Sequence, residues 1–114
     1  ASTVPTTPGA ITSSPAGDYV FKTTFDLTGL IASTANITGK WASDNTGLGV
    51  YLNGNLVPGS ANNVNNAFAA FKNFSINSGF IDGVNTLEFH VRNLSGASGN
   101  PTGLIVDMSG TAQP

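Results

Sequence analysis

Residues 47–54 read GLGVYLNG, and this short run decides the fold class. Leu48, Val50 and Leu52 alternate with Tyr51 at a period of two, which sets apolar residues on one face of a strand. Asn53-Gly54 follows at once, and Asn-Gly between apolar runs is the strongest short hairpin signal, because a type I′ turn needs positive φ at both central residues. The same grammar extends in both directions. Tyr19, Phe21, Thr23, Phe25 and Leu27 share one parity, opposite Val20, Lys22, Thr24 and Asp26. After a GLIAST loop (29–34), Ile37, Gly39 and Trp41 alternate with Thr38, Lys40 and Ala42. Downstream, Phe71, Phe74 and Ile76 mark a strand, and residues 77–85 read as loop. Leu87, Phe89 and Val91 then alternate with Thr86, Glu88, His90 and Arg92. A glycine-rich stretch (94–102) leads to Leu104, Val106 and Met108, which alternate with Ile105 and Asp107. The one helical candidate, NAFAAFK (66–72), is short. Evenly spaced strands with Gly and Asn turns predict an all-β chain, a single antiparallel sandwich.

Composition narrows the function. The chain has 114 residues, one domain by length, and only 9% are charged, against about 25% in an average soluble protein. Gly (14), Asn (13), Thr (13) and Ser (11) supply most of the polar surface. With four Lys and Arg against six Asp and Glu, no basic patch exists for nucleic acid or anionic lipid. No apolar run approaches the length of a transmembrane helix. Cysteine is absent, which removes disulfides, thiolate metal sites and cysteine nucleophiles together. The chain opens at Ala1 without an initiator Met, a start shared by processed, exported chains and by trimmed ones.

The first stretch, ASTVPTTPGAITSSPAG (1–17), carries no charge and has only Val4 and Ile11 as sizeable apolar residues. It reads as an N-terminal extension ahead of a sandwich domain over 18–114. Extended, Pro-containing peptide suits an edge strand, so residues 1–14 are expected to complete the sheet of a neighbouring copy, with Thr3, Val4, Thr6, Ile11 and Thr12 as donor residues. The other readings of this stretch are docking on its own domain and a plain linker.

Four runs carry a resemblance: GDYVFKTTFDLTGL (17–30), ITGKWASDNTGLGVYLNG (37–54), FKNFSINSGFIDGVNTLEFHVRN (71–93) and PTGLIVDMSGTA (101–112). Together they resemble a galactose-binding-like jelly-roll domain of secreted and surface proteins of environmental bacteria, often found with cell-surface sorting signals. The resemblance covers about residues 16–112. It implies a jelly roll and an extracellular or cell-surface location, and it brings no established activity. Family members usually carry one or two further strands before the segment matching Asp18–Phe25. Here only 1–17 stands in that place, so an open edge is expected near Tyr19–Leu27 or Leu104–Met108, with Phe21 and Phe25 beside it. The family's last strand commonly reads G-L-R-V, and Ile105 stands at its Arg position, making an outward site apolar.

Three constellations bear on chemistry. Glu88, His90 and Arg92 line one face of a strand at i, i+2 and i+4, as an acid–base or sugar-contacting stripe would. A solvated outer face with favourable neighbouring charges is the simpler account of them, and His90 is the only histidine, with no nucleophile motif beside it. Non-enzymatic function is therefore expected. Trp41, Tyr51, Asn53 and Arg92 make the carbohydrate-binding alternative, through rings that stack on sugars and polar groups that bond hydroxyls. Trp41 shares the core parity of Ile37, whereas Tyr51 has the outward parity. Asp44-Asn45-Thr46-Gly47, with Asp18, Asp82 and Asp107 elsewhere, offers oxygens to a structural calcium, but turn chemistry explains such residues and no cofactor is expected. Three N-x-[ST] matches, at Asn36, Asn73 and Asn93, follow from composition. The sequence thus points to a structural subunit that partners with copies of itself to form a filament or surface layer. Glycan is the alternative partner.

Overall fold

The computed structural model describes residues 11–14, 17–44, 46–62, 70–93 and 100–114, with the side chains of 11–14 and 100–103 left aside. Eight strands follow in order: β1 (Ile11–Ser14), β2 (Gly17–Asp26), β3 (Ile31–Asp44), β4 (Thr46–Leu52), β5 (Asn55–Leu56), β6 (Lys72–Ile76), β7 (Val84–Asn93) and β8 (Asn100–Gln113). They form two antiparallel sheets of four, ordered β1-β8-β3-β6 and β2-β7-β4-β5. The chain is an all-β sandwich, as the alternation predicted.

Alternation builds the core directly. β3 and β8 turn Ala35, Ile37, Trp41, Leu104, Val106 and Met108 inward; β7 and β4 answer with Leu87, Phe89, Val91, Val50 and Leu52, all buried. Phe89 is the aromatic centre, with its ring centroid 5.5 Å from Trp41 and 6.0 Å from Phe74 across the sheets. Rings tilted at these separations set the positive edge of one against the negative face of the next. Gly39 lets β3 and β8 close here: a Cβ on it would stand 2.5 Å from the Met108 Cβ.

The Asn53-Gly54 hairpin forms as expected, with φ of 50° and 85°, and joins β4 to β5 with Leu52 opposite Asn55. Elsewhere the boundaries depart from expectation. β3 starts at Ile31, inside the expected loop, because Thr34 Oγ1 donates to the Ile31 carbonyl and accepts from the Gln113 N–H, drawing this polar stretch onto β8. A register shift between Ile31 and Asn36 absorbs the irregularity. In β4 a bulge sets Gly47 opposite Val91 but Gly49 opposite His90. Leu48 is consequently only half-buried, and Gly47 takes the inward place against Trp41. Phe71 precedes β6 and is exposed, with Lys40 Nζ 5.0 Å above its ring. Most of the short helical candidate (66–69) lies outside the described residues.

Two polar inserts close the ends of the sandwich. Ser60 is fully buried: its carbonyl accepts from Trp41 Nε1 at 2.9 Å, and its hydroxyl accepts from Val50 N–H and donates to the Val57 carbonyl. Asn85, also fully buried, accepts through Oδ1 from Ile81 N–H and Asn53 Nδ2, and donates through Nδ2 to the carbonyls of Ile81 and Gly83. It holds the loop between β6 and β7, where Phe80 packs against the core.

Candidate functional site

Among the described residues, β1 pairs with the long strand β8 from Ser14 opposite Asn100 to Ile11 opposite Thr102. No strand among the described residues pairs with the outer side of β8 beyond Thr102. β2 is the facing edge strand of the other sheet. Where the end of β2 meets β3 and β8 lies a narrow apolar pocket with room for about one water molecule, lined by Phe25 and Leu27 from the end of β2, Ala35 and Ile37 from β3, and Gly110 and Ala112 from β8. Phe80, held through Asn85, walls its end, with its ring centroid 6.1 Å from Phe25.

The two edges differ in chemistry. The exposed face of β2 carries Asp18, Lys22 and Asp26, and charge on an edge strand discourages pairing. From Leu104 to Gln113, β8 carries the single charge of Asp107. Of these two regions, the one around Leu104–Met108 carries the less charge.

The sequence-predicted residues divide as follows. Ile11 and Thr12, expected in a donor strand, lie in β1, which pairs with β8 of the same chain. The sandwich therefore includes part of the expected extension, and β2 begins at Gly17. Thr3, Val4 and Thr6 lie outside the described residues. Phe25 is buried and lines the pocket; Phe21 packs at the core margin on the same face of β2. Ile105 is exposed on the outer face of β8, away from the pocket.

The carbohydrate candidates are not brought together. Trp41 is fully buried and its indole N–H is bonded to Ser60, so its ring faces core and not solvent. Asn53 spends both amide protons on the Gly79 carbonyl and Asn85 Oδ1, and accepts from Thr86 N–H. Tyr51 and Arg92 do share the outer face of the second sheet. The Tyr51 ring stacks on His90 at 4.0 Å, and Glu88 Oε1 stands 3.0 Å from His90 Nε2. Arg92 Nε donates to Asp18 at 2.9 Å, which holds the Asp18 carboxyl below the usual aspartate range. The expected stripe of Glu88, His90 and Arg92 is thus a half-exposed face satisfied by its own neighbours along and across the strands.

Among the described residues no group of three or more His, Cys, Asp or Glu side chains converges as a metal site would. Asp44 is half-buried, and burial raises its pKa. Among the same residues no helix is long and apolar enough to cross a membrane. The sequence did not single out Asn85, Ser60 or Asn62, which organise the loops around the pocket and beneath Trp41. Their type gave no signal in so Asn- and Ser-rich a chain. No protein-family model matches the chain, and no curated protein matches it.

Proposed function

We propose that this chain is a non-enzymatic structural subunit of an extracellular filament or surface layer, in which the N-terminal segment of one copy adds as a strand alongside β8 of the next. The observation that carries the reading is the pairing of Ile11–Ser14 along β8, which brings the N-terminal segment to one edge of the first sheet. The strand orders 1-8-3-6 and 2-7-4-5 support the jelly-roll reading, two Greek keys wound together, in which β1 is the strand that should cover β8. The main chain of an added strand supplies affinity without charge, in keeping with a chain only 9% charged. A head-to-tail contact of this kind is heterologous and propagates as a fibre unless it closes into a ring. The extracellular placement rests on the polar, uncharged surface and on the family resemblance.

The carbohydrate alternative is left with Tyr51 and Arg92, each already engaged by a neighbour, and we rank it second. The deciding experiment is negative-stain electron microscopy of the full chain beside a version lacking residues 1–10, which leaves β1 intact. Fibres from the first and folded monomers from the second are expected. Folded monomers from both, or fibres from both, would remove the N-terminal segment from the assembly.

A further inference from the structure

Asn53-Gly54 is the one Asn-Gly pair in the chain, and such a pair carries a chemistry of its own. The main-chain nitrogen of the glycine can attack the asparagine Cγ and expel ammonia, closing a succinimide ring: one C–N bond forms and another breaks. Water then opens the ring at one carbonyl to give aspartate, or at the other to give isoaspartate. Glycine favours the attack because no Cβ shields its nitrogen. The side-chain amide must swing round onto that nitrogen for the ring to close. Three hydrogen bonds hold it elsewhere. Asn53 Nδ2 donates to the Gly79 carbonyl at 3.0 Å and to Asn85 Oδ1 at 2.9 Å, and Asn53 Oδ1 accepts from Thr86 N–H at 2.9 Å. The Asn53 main-chain N–H donates to the Thr86 carbonyl at 2.8 Å, so main chain and side chain are both moored to β7.

The hairpin requires this pair. Its turn needs positive φ at both central positions, 50° at Asn53 and 85° at Gly54, and asparagine and glycine are the residues that adopt it with least strain. The fold thus carries a labile pair and restrains it from a distance. Asn85 is fully buried, and its own amide donates to the Ile81 and Gly83 carbonyls, which aims its Oδ1 at Asn53. We propose that Asn53 is a latent site of spontaneous deamidation, kept unreactive by its hydrogen bonds to Asn85, Gly79 and Thr86, and that breaking these bonds locally, without unfolding the domain, is enough to release the reaction. Asn85 is then a positioning residue that acts through Asn53. The product cannot return to the same arrangement. A carboxylate at position 53 has no proton for the Gly79 carbonyl, and it meets Asn85 Oδ1 acceptor against acceptor. A chain that has once reacted is marked, and its loop between β6 and β7 no longer closes on the hairpin as before.

The test follows conversion at Asn53 by intact mass and peptide mapping while the full chain is incubated in mildly alkaline buffer. The folded chain should keep Asn53 intact over a period in which the same chain, unfolded in urea, converts. Equal rates in the two, or no conversion in urea, would overturn the proposal. Asn85→Ala, in conditions where Trp41 fluorescence shows it folded, should convert at least about fivefold faster than the unaltered chain, the bias that one net hydrogen bond confers. Gly47→Ala is the comparison, because it disturbs the packing at Trp41 and leaves the Asn53 bonds alone. At matched stability it should convert more slowly than Asn85→Ala; equal rates would assign the protection to the fold as a whole and overturn the role of Asn85. A second measurement needs no variant. In urea below the unfolding transition, local release makes the conversion rate rise less steeply than the unfolded fraction, since a local opening exposes little surface. A rate that tracks the unfolded fraction would overturn the proposal.

Discussion

Replacing Asn85 by Ala should cost this domain more than any surface substitution. The side chain is fully buried and makes four hydrogen bonds, at 2.9 Å from Ile81 N–H, 2.9 Å from Asn53 Nδ2, 2.8 Å to the Ile81 carbonyl and 3.0 Å to the Gly83 carbonyl. Each such bond is worth about 1 kcal/mol net, and a buried group left unpaired costs more. Ile81 is exposed, so water recovers part of the loss at its main chain. The expected destabilisation is about 3 kcal/mol. With a urea m-value of about 1–2 kcal/mol/M, the midpoint should fall by roughly 1.5–3 M, and the melting temperature by about 12 °C. Urea unfolding followed by Trp41 fluorescence measures this, because the indole is buried in the fold and exposed in the unfolded chain. A midpoint change below about 0.3 M, with m unchanged, would refute the view that this one amide holds the loop. Asn85→Asp retains the acceptors, loses both donations and buries a charge beside two carbonyls. It should be at least as damaging at neutral pH, and less so once the carboxyl is protonated.

Four further expectations follow from the same geometry. Gly47→Ala places a Cβ 2.7 Å from Trp41 Cη2. It should destabilise by about 1–3 kcal/mol and alter the tryptophan emission. Tyr51→Ala should leave assembly unchanged, since the ring lies on the outer face of the other sheet; loss of fibres would move the contact to that face. Asp18 and Asp26 have pKa values lowered by the Arg92 ion pair and by the Thr28 hydrogen bonds respectively, so their contribution is present above the usual aspartate pKa and lost as pH falls through the folded values. Burial raises Asp44 and gives the opposite sign, a contribution lost as pH rises through its shifted value; Asp44→Asn should flatten that limb of a stability–pH curve. Fibres should also survive high salt, because so few charges are there to be screened; dissolution at moderate ionic strength would count against a main-chain contact.

The sandwich was legible because its strands obey a period of two. Phe25, Ile37, Trp41, Val50, Phe89 and Val106 all fell on the inward parity, and all are buried. The turn at Asn53-Gly54 was equally plain, since positive φ restricts the choice of residue. What escaped was whatever breaks the period. The β4 bulge spends two residues against one on β7 and shifts Leu48 off the core face, and no residue type announces it. The early start of β3 rests on Thr34 bonding across to Gln113, a long-range partner that local pattern does not carry. Of the proposed contact, the donor segment was visible as a charge-free, proline-bearing run. The small apolar pocket beside Phe80 was not legible, because it gathers residues from β2, β3, β8 and the loop before β7. The pairing of β1 with its own β8 was likewise open in the sequence, since nothing in ITSS distinguishes one copy's edge from another's.

The ladder between β8 and β3 bears on how such a fibre would carry load. Their partners run without interruption from Thr111 opposite Asn36 to Gly103 opposite Asp44. A donor strand lying along β8 would transmit tension parallel to the strands. The rungs would then be sheared together rather than peeled one after another, and rupture would require the whole ladder to slip at once. The resistance of each subunit to stretching would therefore be set by an unfolding rate, with the force spread over the longest pair of strands in the molecule.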